Sequence, residues 1–494
     1  MMFLNEDWVH FIWSRYSKGI DVTEDVLKEF IYSYKDTQVT DFMMNVNGTV
    51  STAPSQVFET FADKYLAKEE EGVVVDYTET YAKVAYKLIC EQKIDMYEVW
   101  IKTLKEIGIN PWISIRVNDC HHNMYGKPDL VKSRYVEANP DAHIASYREK
   151  IGYFDKCLDY SLEKVRIRML SYISEMLDRY DVYGLELDLM RDFIFTKPGY
   201  ESDITLFLDG VRELVKQFEA KWGHKLKLLW LLPSEPNLCL ERGINVIDYA
   251  DIIDYIAIIA RWQTTDTDMP IELWKQLLRG TDIKIGCGQQ LLFKPFSGYK
   301  TVLTSEKMAY GQAVANLSRG SDFVYLYNYM DLLTDDLTED CYEQSIRDEK
   351  LLPQILKNIG DVNTLIKKER SHVVTYSDFN RYDMMVYSRL PISFGDSREF
   401  ETVKIPVGKI AKGSKVRLVL GFMGSPSPES IKVYVNSLEA KFSNITNINE
   451  LIYENNCYVF DICGNYADIM YAEISVAEKA TLEYVEIEVV PSKN

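Results

Sequence analysis

The sequence has few histidines and no paired cysteines. Six histidines and eight cysteines occur in 494 residues, and no two cysteines have the C-x-x-C spacing of a zinc ribbon or a redox motif. A metal-dependent barrel hydrolase would need a His-x-His pair on an early strand, and the sequence has none. We therefore predict neither a metal nor another cofactor. The scattered thiols favour a reducing cytoplasm over a disulfide scaffold.

Long apolar runs and an excess of positive charge are also absent. No stretch reaches the roughly 20 apolar residues of a membrane-spanning helix. The first residues, MMFLNEDWVHFIWSRYSKGI, carry acids where a signal peptide needs an uninterrupted apolar core. Basic residues number 56 against 75 acidic ones, a net charge of −19, which disfavours nucleic acid as a partner. We expect a carbohydrate ligand and no membrane or nucleic-acid partner, and a homo-oligomer stays open.

The chain contains two different patterns of secondary structure. Up to residue 368, short apolar runs alternate with amphipathic helical segments, which predicts an α/β fold, a (β/α)8 TIM barrel. An open doubly wound sheet is the alternative, although no glycine-rich phosphate loop follows the first predicted strand. Residues 369–494 alternate like short antiparallel strands and predict an all-β sandwich domain. The eight predicted barrel strands are 38–46, 111–117, 156–160, 183–189, 226–232, 255–261, 283–288 and 323–329.

The segment YGLELDLMRDF, residues 183–193, places two acids on one face of a predicted strand. Side chains alternate along a strand, so Glu186 and Asp188 share a face and the leucines share the other. This arrangement suits a strand with a polar face toward a barrel interior and an apolar face toward helices. We interpret Glu186 as a structural partner of Arg116, and Asp188, one layer nearer the mouth, as a catalytic or substrate-binding residue. The alternative for Asp188 is an ion pair with Arg191.

A second carboxylate is needed for the cleavage of a glycosidic bond. Active sites of such barrels lie at the carboxyl ends of the strands. Glu235 follows the fifth predicted strand in LLPSEP, and Asp119 follows the second in ISIRVND. We prefer Glu235 as the general acid and keep Asp119 as its rival. A solvated loop acid is the alternative for Glu235.

Other side chains at the predicted strand ends are candidates for binding a hydroxylated ligand. Sugar rings stack on aromatic rings, and amide, imidazole and guanidinium groups form hydrogen bonds with hydroxyls. The alternative is packing for the aromatic residues, turn formation or strand capping for Asn45, an exposed polar position for His121, and ion pairs with the acids of the predicted strand for the two arginines. The candidate substrate-binding residues are Arg116, Asn118, His121, Glu186, Arg191, Asn45, Trp262 and Tyr327.

The segments SIRVNDCHH and RYDVYGLELDLMRDF, with the preceding LDYSLEKVR, resemble the bacterial glycosyl hydrolase-like family 10 group. In that group a similar D-G-I-E-L-D-x-x-R strand follows a valine-arginine helix. Two positions depart from the pattern, since Tyr183 replaces an aspartate and Asp192 replaces a histidine. The resemblance implies a TIM barrel of the glycoside hydrolase superfamily, with a pocket formed by Arg116, Asn118, Asp119, His121, Glu186, Asp188 and Arg191.

These observations predict a glycoside hydrolase that acts on a small saccharide or glycoside. Asp188 is the predicted nucleophile or base, and Glu235 is the predicted acid. Two alternatives stay open: a carbohydrate-binding barrel protein without catalysis, and a sugar lyase or epimerase that uses Asp188 and His121. We interpret the C-terminal domain as a structural cap on the barrel, with glycan binding as the alternative.

Overall fold

The amino-terminal part of the chain forms a closed barrel. The computed structural model describes residues 1–16, 19–71, 78–120, 132–144, 157–260, 268–290, 292–293, 302–327, 351–374, 389–395, 399–446, 456–464 and 466–492. Eight parallel strands close in the order β1-β2-β3-β4-β5-β6-β7-β10, which confirms the predicted TIM barrel. A short β8–β9 hairpin lies apart. These strands are β1 (Met2–Asp7), β2 (Asp41–Asn45), β3 (Asn110–Arg116), β4 (Gly184–Asp188), β5 (Lys227–Pro233), β6 (Tyr255–Ile259), β7 (Lys284–Gln290), β8 (Leu292–Phe293), β9 (Val302–Leu303) and β10 (Phe323–Tyr327).

Helices surround the barrel, and residues directly next to their ends cap them. Asp95 accepts hydrogen bonds from the amides of Tyr97 and Glu98 at the start of α5, and Gly108 ends that helix with φ 80°. Among the described residues, no helix has the length and apolar character to cross a membrane. The helices are α1 (Trp8–Tyr16), α2 (Glu24–Tyr32), α3 (Phe61–Glu71), α4 (Thr78–Tyr86), α5 (Met96–Ile107), α6 (Arg134–Ala138), α7 (Glu163–Arg179), α8 (Ile204–Trp222), α9 (Pro236–Glu241), α10 (Ile271–Leu277), α11 (Glu306–Ser318), α12 (Leu351–Asn358) and α13 (Val362–Leu365).

One predicted barrel strand is wrong, and one real strand escaped prediction. The described part of the predicted strand 156–160 has only an isolated bridge, between Leu158 and His143. The first barrel strand is instead β1, MFLNED, in which the apolar residues at the start give way to polar residues on both faces, so that no apolar alternation marks the strand. The predicted second strand, 111–117, is therefore the third strand of the barrel, and it pairs directly with β4.

Aromatic side chains fill the amino-terminal end of the barrel interior. We call Phe3, Trp112 and Phe323 the barrel floor: the rings of Phe3 and Phe323 stack with centroids 4.3 Å apart, and Trp112 lies 5.8 Å from Phe3. Glycines make room for these rings. A Cβ at Gly286 would lie 2.0 Å from the Phe323 ring, and one at Gly184 would lie 2.3 Å from Trp112. Bulky rings and glycines on neighbouring strands thus fill the interior together.

The carboxyl-terminal region forms two antiparallel sheets that share one core, which agrees with the predicted sandwich. One sheet has the order β11-β20-β14-β18-β17 with β12 also on β20, and the other has the order β13-β19-β15-β16. The predicted boundary between residues 368 and 369 stays a prediction. The strands are β11 (Arg370–Val374), β12 (Ile392–Phe394), β13 (Glu401–Pro406), β14 (Lys415–Met423), β15 (Ile431–Val435), β16 (Leu438–Glu439), β17 (Lys441–Thr446), β18 (Cys457–Asp461), β19 (Ile469–Val476) and β20 (Ala480–Val490).

The helix α11 lies between the barrel and the strand β11. Its residues 308–316 are all buried, as expected for a helix with packing partners on every side. Gly311 permits the close approach, because a Cβ there would lie 2.0 Å from the carbonyl oxygen of Ser371. An ion pair between Lys404 and Asp268 adds a second contact between the two regions.

We expect the substitution Gly286→Ala to destabilise the protein. The new methyl group would collide with the Phe323 ring, and overpacking of this kind costs about 1–3 kcal/mol in the free energy of unfolding. Chemical denaturation measures the change. The control is Gly395→Ala, because a Cβ at Gly395 meets no atom within 4 Å. Equal losses in the two variants would contradict this account of the floor.

Candidate active site at the carboxyl end of the barrel

The strands β3 and β4 bring basic and acidic side chains together inside the barrel. In their pairing, Ser114 lies beside Glu186 and Arg116 lies beside Asp188. The predicted pairing of Arg116 with Glu186 is therefore wrong. It assumed that the two strands were alternate, whereas they are neighbours and their inward residues match one to one.

Glu186 is buried and accepts hydrogen bonds from three side chains. Asn5 Nδ2 donates at 3.1 Å and Ser114 Oγ at 2.9 Å, and the Tyr325 hydroxyl lies 2.9 and 2.8 Å from the two carboxyl oxygens. Burial, and then the neighbouring charge of Asp188, raise the pKa of Glu186 to about 8, and the three hydrogen bonds oppose this shift. Glu186 is therefore predominantly protonated at neutral pH.

Asp188 is the last residue of β4, and both of its carboxylate oxygens accept hydrogen bonds. Oδ1 accepts the backbone amides of Met190 at 3.0 Å and Arg191 at 2.9 Å, and Oδ2 accepts the Tyr327 hydroxyl at 3.1 Å. Burial raises the pKa of Asp188, and the guanidinium groups of Arg116 and Arg191 oppose the rise. Two cations thus favour the ionised form of this acid.

Arg116 lies close to two acids at the barrel mouth. Its Nη2 is 2.7 Å from Asp7 Oδ2, and its Nη1 is 3.6 Å from Asp119 Oδ2. Burial and the charge of Arg191 lower the pKa of Arg116, but Asp7, and then Tyr327 and Asp119, raise it, and the net shift is upward. Arg191 Nε also lies 3.6 Å from Asp119 Oδ2. Asp119 therefore lies against two guanidinium groups, and its role as the rival general acid stays a prediction.

Asn118 and Asp192 hold the loops that surround this mouth. Asn118 Nδ2 donates to the carbonyls of Leu158 and Ile194, and its Oδ1 accepts the amide of Leu158. Asp192 Oδ2 accepts the amide of Cys120 at 2.7 Å. Because its amide is engaged with backbone, Asn118 is not part of the site that we propose below.

Two buried amide side chains on β1 and β2 have unpaired polar atoms. Among the described residues, Asn45 Nδ2 and Asn5 Oδ1 have no hydrogen-bond partner. Asn45 lies beside Asp7 on β1 and beside Ser114 on β3, so its side chain faces the same interior as Asp188. A buried donor without a partner is costly, and a bound hydroxyl or water would satisfy it.

Glu235 lies at the end of the neighbouring strand. It is half-buried, and it occupies the N-cap position of α9 directly after β5, which pairs with β4. His121 and Trp262 lie outside the described residues, and their predicted roles stay predictions. Within the described residues, no group of three or more His, Cys, Asp and Glu side chains has an arrangement that could hold a metal ion.

Sequence reasoning missed four side chains of this network. Asn5 and Asp7 belong to the unpredicted β1, although the alternation in MFLNED would have placed both on one face. Ser114 and Tyr325 lie on predicted strands, but no motif marks them as partners of Glu186. Their role follows from the register of the closed barrel.

The chain was compared with known families and structures. No family model matches it, and no curated protein matches it either. Solved structures that align include a GH36 alpha-galactosidase from Geobacillus stearothermophilus (11% identity, TM-score 0.37, 96% of this chain and 55% of that one). A Thermotoga maritima alpha-fucosidase gives 10%, 0.34, 91% and 78%. The chitinase ChiW from Paenibacillus sp. str. FPU-7 gives 9%, 0.41, 98% and 42%.

These neighbours are glycoside hydrolases, and this chain spans 55% of the length of the alpha-galactosidase. Identities near 10% and TM-scores below 0.5 carry no argument about the activity of this chain. That activity has to be inferred from the residues of this chain itself. The resemblance to the glycosyl hydrolase-like family 10 group is not confirmed and stays a prediction.

We expect the substitution Glu186→Gln to flatten the pH dependence of stability. The folded pKa of Glu186, about 8, lies above the unfolded value of roughly 4.3, so between these values the folded state binds more protons. The free energy of unfolding of the parent therefore falls as the pH rises through this window, with Glu186 contributing as much as about 3 kcal/mol between pH 5 and 8. Glutamine cannot titrate, so the variant lacks this contribution.

Urea denaturation at pH 5 and at pH 8 measures the difference between parent and variant. The control, Glu213→Gln, makes the same chemical change on the exposed surface of α8 and should keep the pH dependence of the parent. An identical pH dependence in Glu186→Gln and the parent would refute the assignment of a raised pKa to Glu186.

Proposed function

We propose that this protein hydrolyses the glycosidic bond of a small saccharide or glycoside, with Asp188 as the nucleophile or water-activating base. One observation carries the proposal. Asp188 ends a barrel strand, where both of its oxygens are fixed by two backbone amides and the Tyr327 hydroxyl. Fixed geometry of this kind suits a carboxylate that must meet a reacting carbon or water.

The contrast between Glu186 and Asp188 supports an ionised Asp188. Glu186 and Asp188 face the same buried interior, so together they carry one negative charge more easily than two. We assign that charge to Asp188, because Arg116 and Arg191 oppose the rise of its pKa while the pKa of Glu186 is about 8. Environments that separate the pKa values of two acids are typical of catalytic sites.

Glu235 is our candidate for the general acid. It follows β5, the strand beside β4, and its half-buried position leaves it open to a bound ligand. Its rival, Asp119, lies 3.6 Å from a guanidinium nitrogen of both Arg116 and Arg191. Those contacts favour a carboxylate that balances charge over one that delivers a proton.

The walls around Asp188 support a ligand with both polar and apolar faces. Asn45 offers a free amide donor on one side, and Arg116 adds a cation. Met190, Leu231 and Ile259 belong to the apolar cluster of the interior on the other side. A pyranose ring has this character, since its hydroxyl edges bind amides while its C–H faces pack on apolar groups.

A second candidate function is carbohydrate binding without turnover. The observation that favours it is the burial of Asp188, of which only 1% is exposed while both oxygens accept hydrogen bonds. A carboxylate so enclosed could instead orient the arginines and Tyr327 toward a ligand. Turnover measurements separate this candidate from hydrolysis.

We expect Asp188→Asn to lose turnover by about 10²- to 10⁴-fold, because the amide is a poor nucleophile and base. A panel of aryl glycosides and short oligosaccharides measures released sugar. The control is Asp178→Asn, the same change on the exposed surface of α7, which should keep the parent activity. Turnover by Asp188→Asn at the parent rate would rule out hydrolysis through this residue. A thermal shift with a sugar and no turnover by the parent would support the binding candidate.

We expect the loss of activity in Glu235→Gln to be larger for substrates whose leaving group is more basic. An aglycone that leaves without a proton needs no acid, so dinitrophenyl glycosides should be cleaved almost normally while alkyl glycosides lose about 10²-fold or more. The control Glu241→Gln lies on the same helix, α9, with an exposed side chain. If Asp119→Asn shows this leaving-group dependence and Glu235→Gln does not, Asp119 is the acid.

A further inference from the structure

Two buried cysteines meet beside the barrel mouth. Cys120 follows β3 and Cys157 lies in the segment before α7, and their Sγ atoms are 2.9 Å apart. Both are fully buried in a small apolar cluster with Ile144 and Ile194. A disulfide bond has an S–S length of about 2.05 Å, so a small movement of the side chains would bring the sulfurs to bonding distance.

The backbone around both sulfurs is fixed by hydrogen bonds. Asn118 binds the amide and the carbonyl of Leu158, which joins the chain two residues before Cys120 to the residue after Cys157. The carbonyl of Cys157 accepts the amide of Ile144 at 2.8 Å. Asp192 Oδ2 accepts the amide of Cys120. The two thiols therefore meet because the fold holds both chain segments in place, a fixed arrangement that favours a bond between them.

We propose that Cys120 and Cys157 form a reversible disulfide by exchange with a small-molecule disulfide such as glutathione disulfide. One cysteine, as its thiolate, attacks a sulfur of glutathione disulfide and releases one glutathione thiolate. The second cysteine loses its proton and attacks the protein sulfur of the mixed disulfide, which releases the second glutathione. Two protein thiols are oxidised to one disulfide, and one glutathione disulfide is reduced to two glutathione thiols.

Burial makes this exchange slow without preventing it. Burial, and then the neighbouring Cys157 thiol, raise the pKa of Cys120, which lowers the fraction of the reactive thiolate. The buried free thiols are therefore protected against oxidants in solution. The position of the equilibrium depends on the proximity of the two sulfurs, which favours the internal disulfide over a persistent mixed one.

The disulfide would constrain the edge of the candidate active site. Cys120 follows Asp119, whose carboxylate lies 3.6 Å from a guanidinium nitrogen of both Arg116 and Arg191. A covalent link from Cys120 to Cys157 restricts the unfolded chain between them. We therefore expect a higher denaturation midpoint for the oxidised protein. This inference does not depend on the proposed function.

The experiment equilibrates the purified 494-residue chain in glutathione buffers of increasing oxidised fraction. Samples are quenched with acid, unfolded, treated with N-ethylmaleimide, digested and mapped by mass spectrometry. The expected result is one cystine peptide that joins Cys120 to Cys157, is lighter than the two free peptides by two hydrogen atoms and disappears on return to reduced glutathione. Cys120→Ser and Cys157→Ser should each leave the partner thiol alkylated. The control Cys239→Ser, a buried cysteine on α9, should keep the cystine.

Three results would overturn the proposal. The first is alkylation of both cysteines at every buffer ratio, the second is a cystine that joins either of them to another cysteine, and the third is glutathione that stays attached to one of them. The parent map decides the question even if a serine variant does not fold. Urea denaturation of the oxidised and reduced parent then tests the consequence, and equal midpoints would show that the bond does not constrain the fold.

Discussion

The alternation of side chains along β4 imposes the main constraint on this barrel. Glu186 and Asp188 are two residues apart on a strand, so both side chains enter the same interior, and two buried negative charges at this spacing are costly. The surrounding strands lower the free-energy cost of these two acids in two ways. Glu186 receives neutral donors and is predominantly protonated at neutral pH, whereas Asp188 receives backbone amides and faces two arginines. The interior is therefore divided into a neutral layer above the aromatic floor and a charged layer at the mouth.

Closure of the barrel and assembly of the site are the same event. Asn5 and Asp7 come from β1, and Tyr325 and Tyr327 come from β10, the two strands that pair to close the barrel. The acids of β4 thus depend on side chains from both ends of the barrel sequence. A barrel that failed to pair β1 with β10 would leave Glu186 without Asn5 and leave Arg116 without Asp7. Such a state would expose unpaired polar groups, which makes closure cooperative with the polar network.

The sequence was enough to predict the barrel, the sandwich and the common face of Glu186 and Asp188. Each depends on a local period of apolar residues, which a single sequence displays. The partners of these acids depend on which strands are neighbours, and one wrong strand at 156–160 and one missed strand at 2–7 shifted that count. The sequence alone therefore pairs Arg116 with Glu186, whereas in the structure Arg116 binds Asp7. Asn118 and Asp119 were correctly placed beyond a strand end, but only the structure shows that one engages loop backbone and the other lies against two arginines.

Stability alone does not explain the polar layers. Buried ionic networks are often no more stabilising than apolar side chains of the same volume, and the floor shows that this sequence can fill the interior with aromatic rings. An apolar layer in place of Asn5, Ser114, Glu186 and Tyr325 would remove several buried donors and acceptors. Instead the network leaves an amide of Asn45 without a protein partner in the interior that also holds the carboxylate of Asp188. A water molecule or the hydroxyl of a bound ligand would satisfy that amide, and our proposal of a ligand site places function at the upper layer and structure at the layer beneath it.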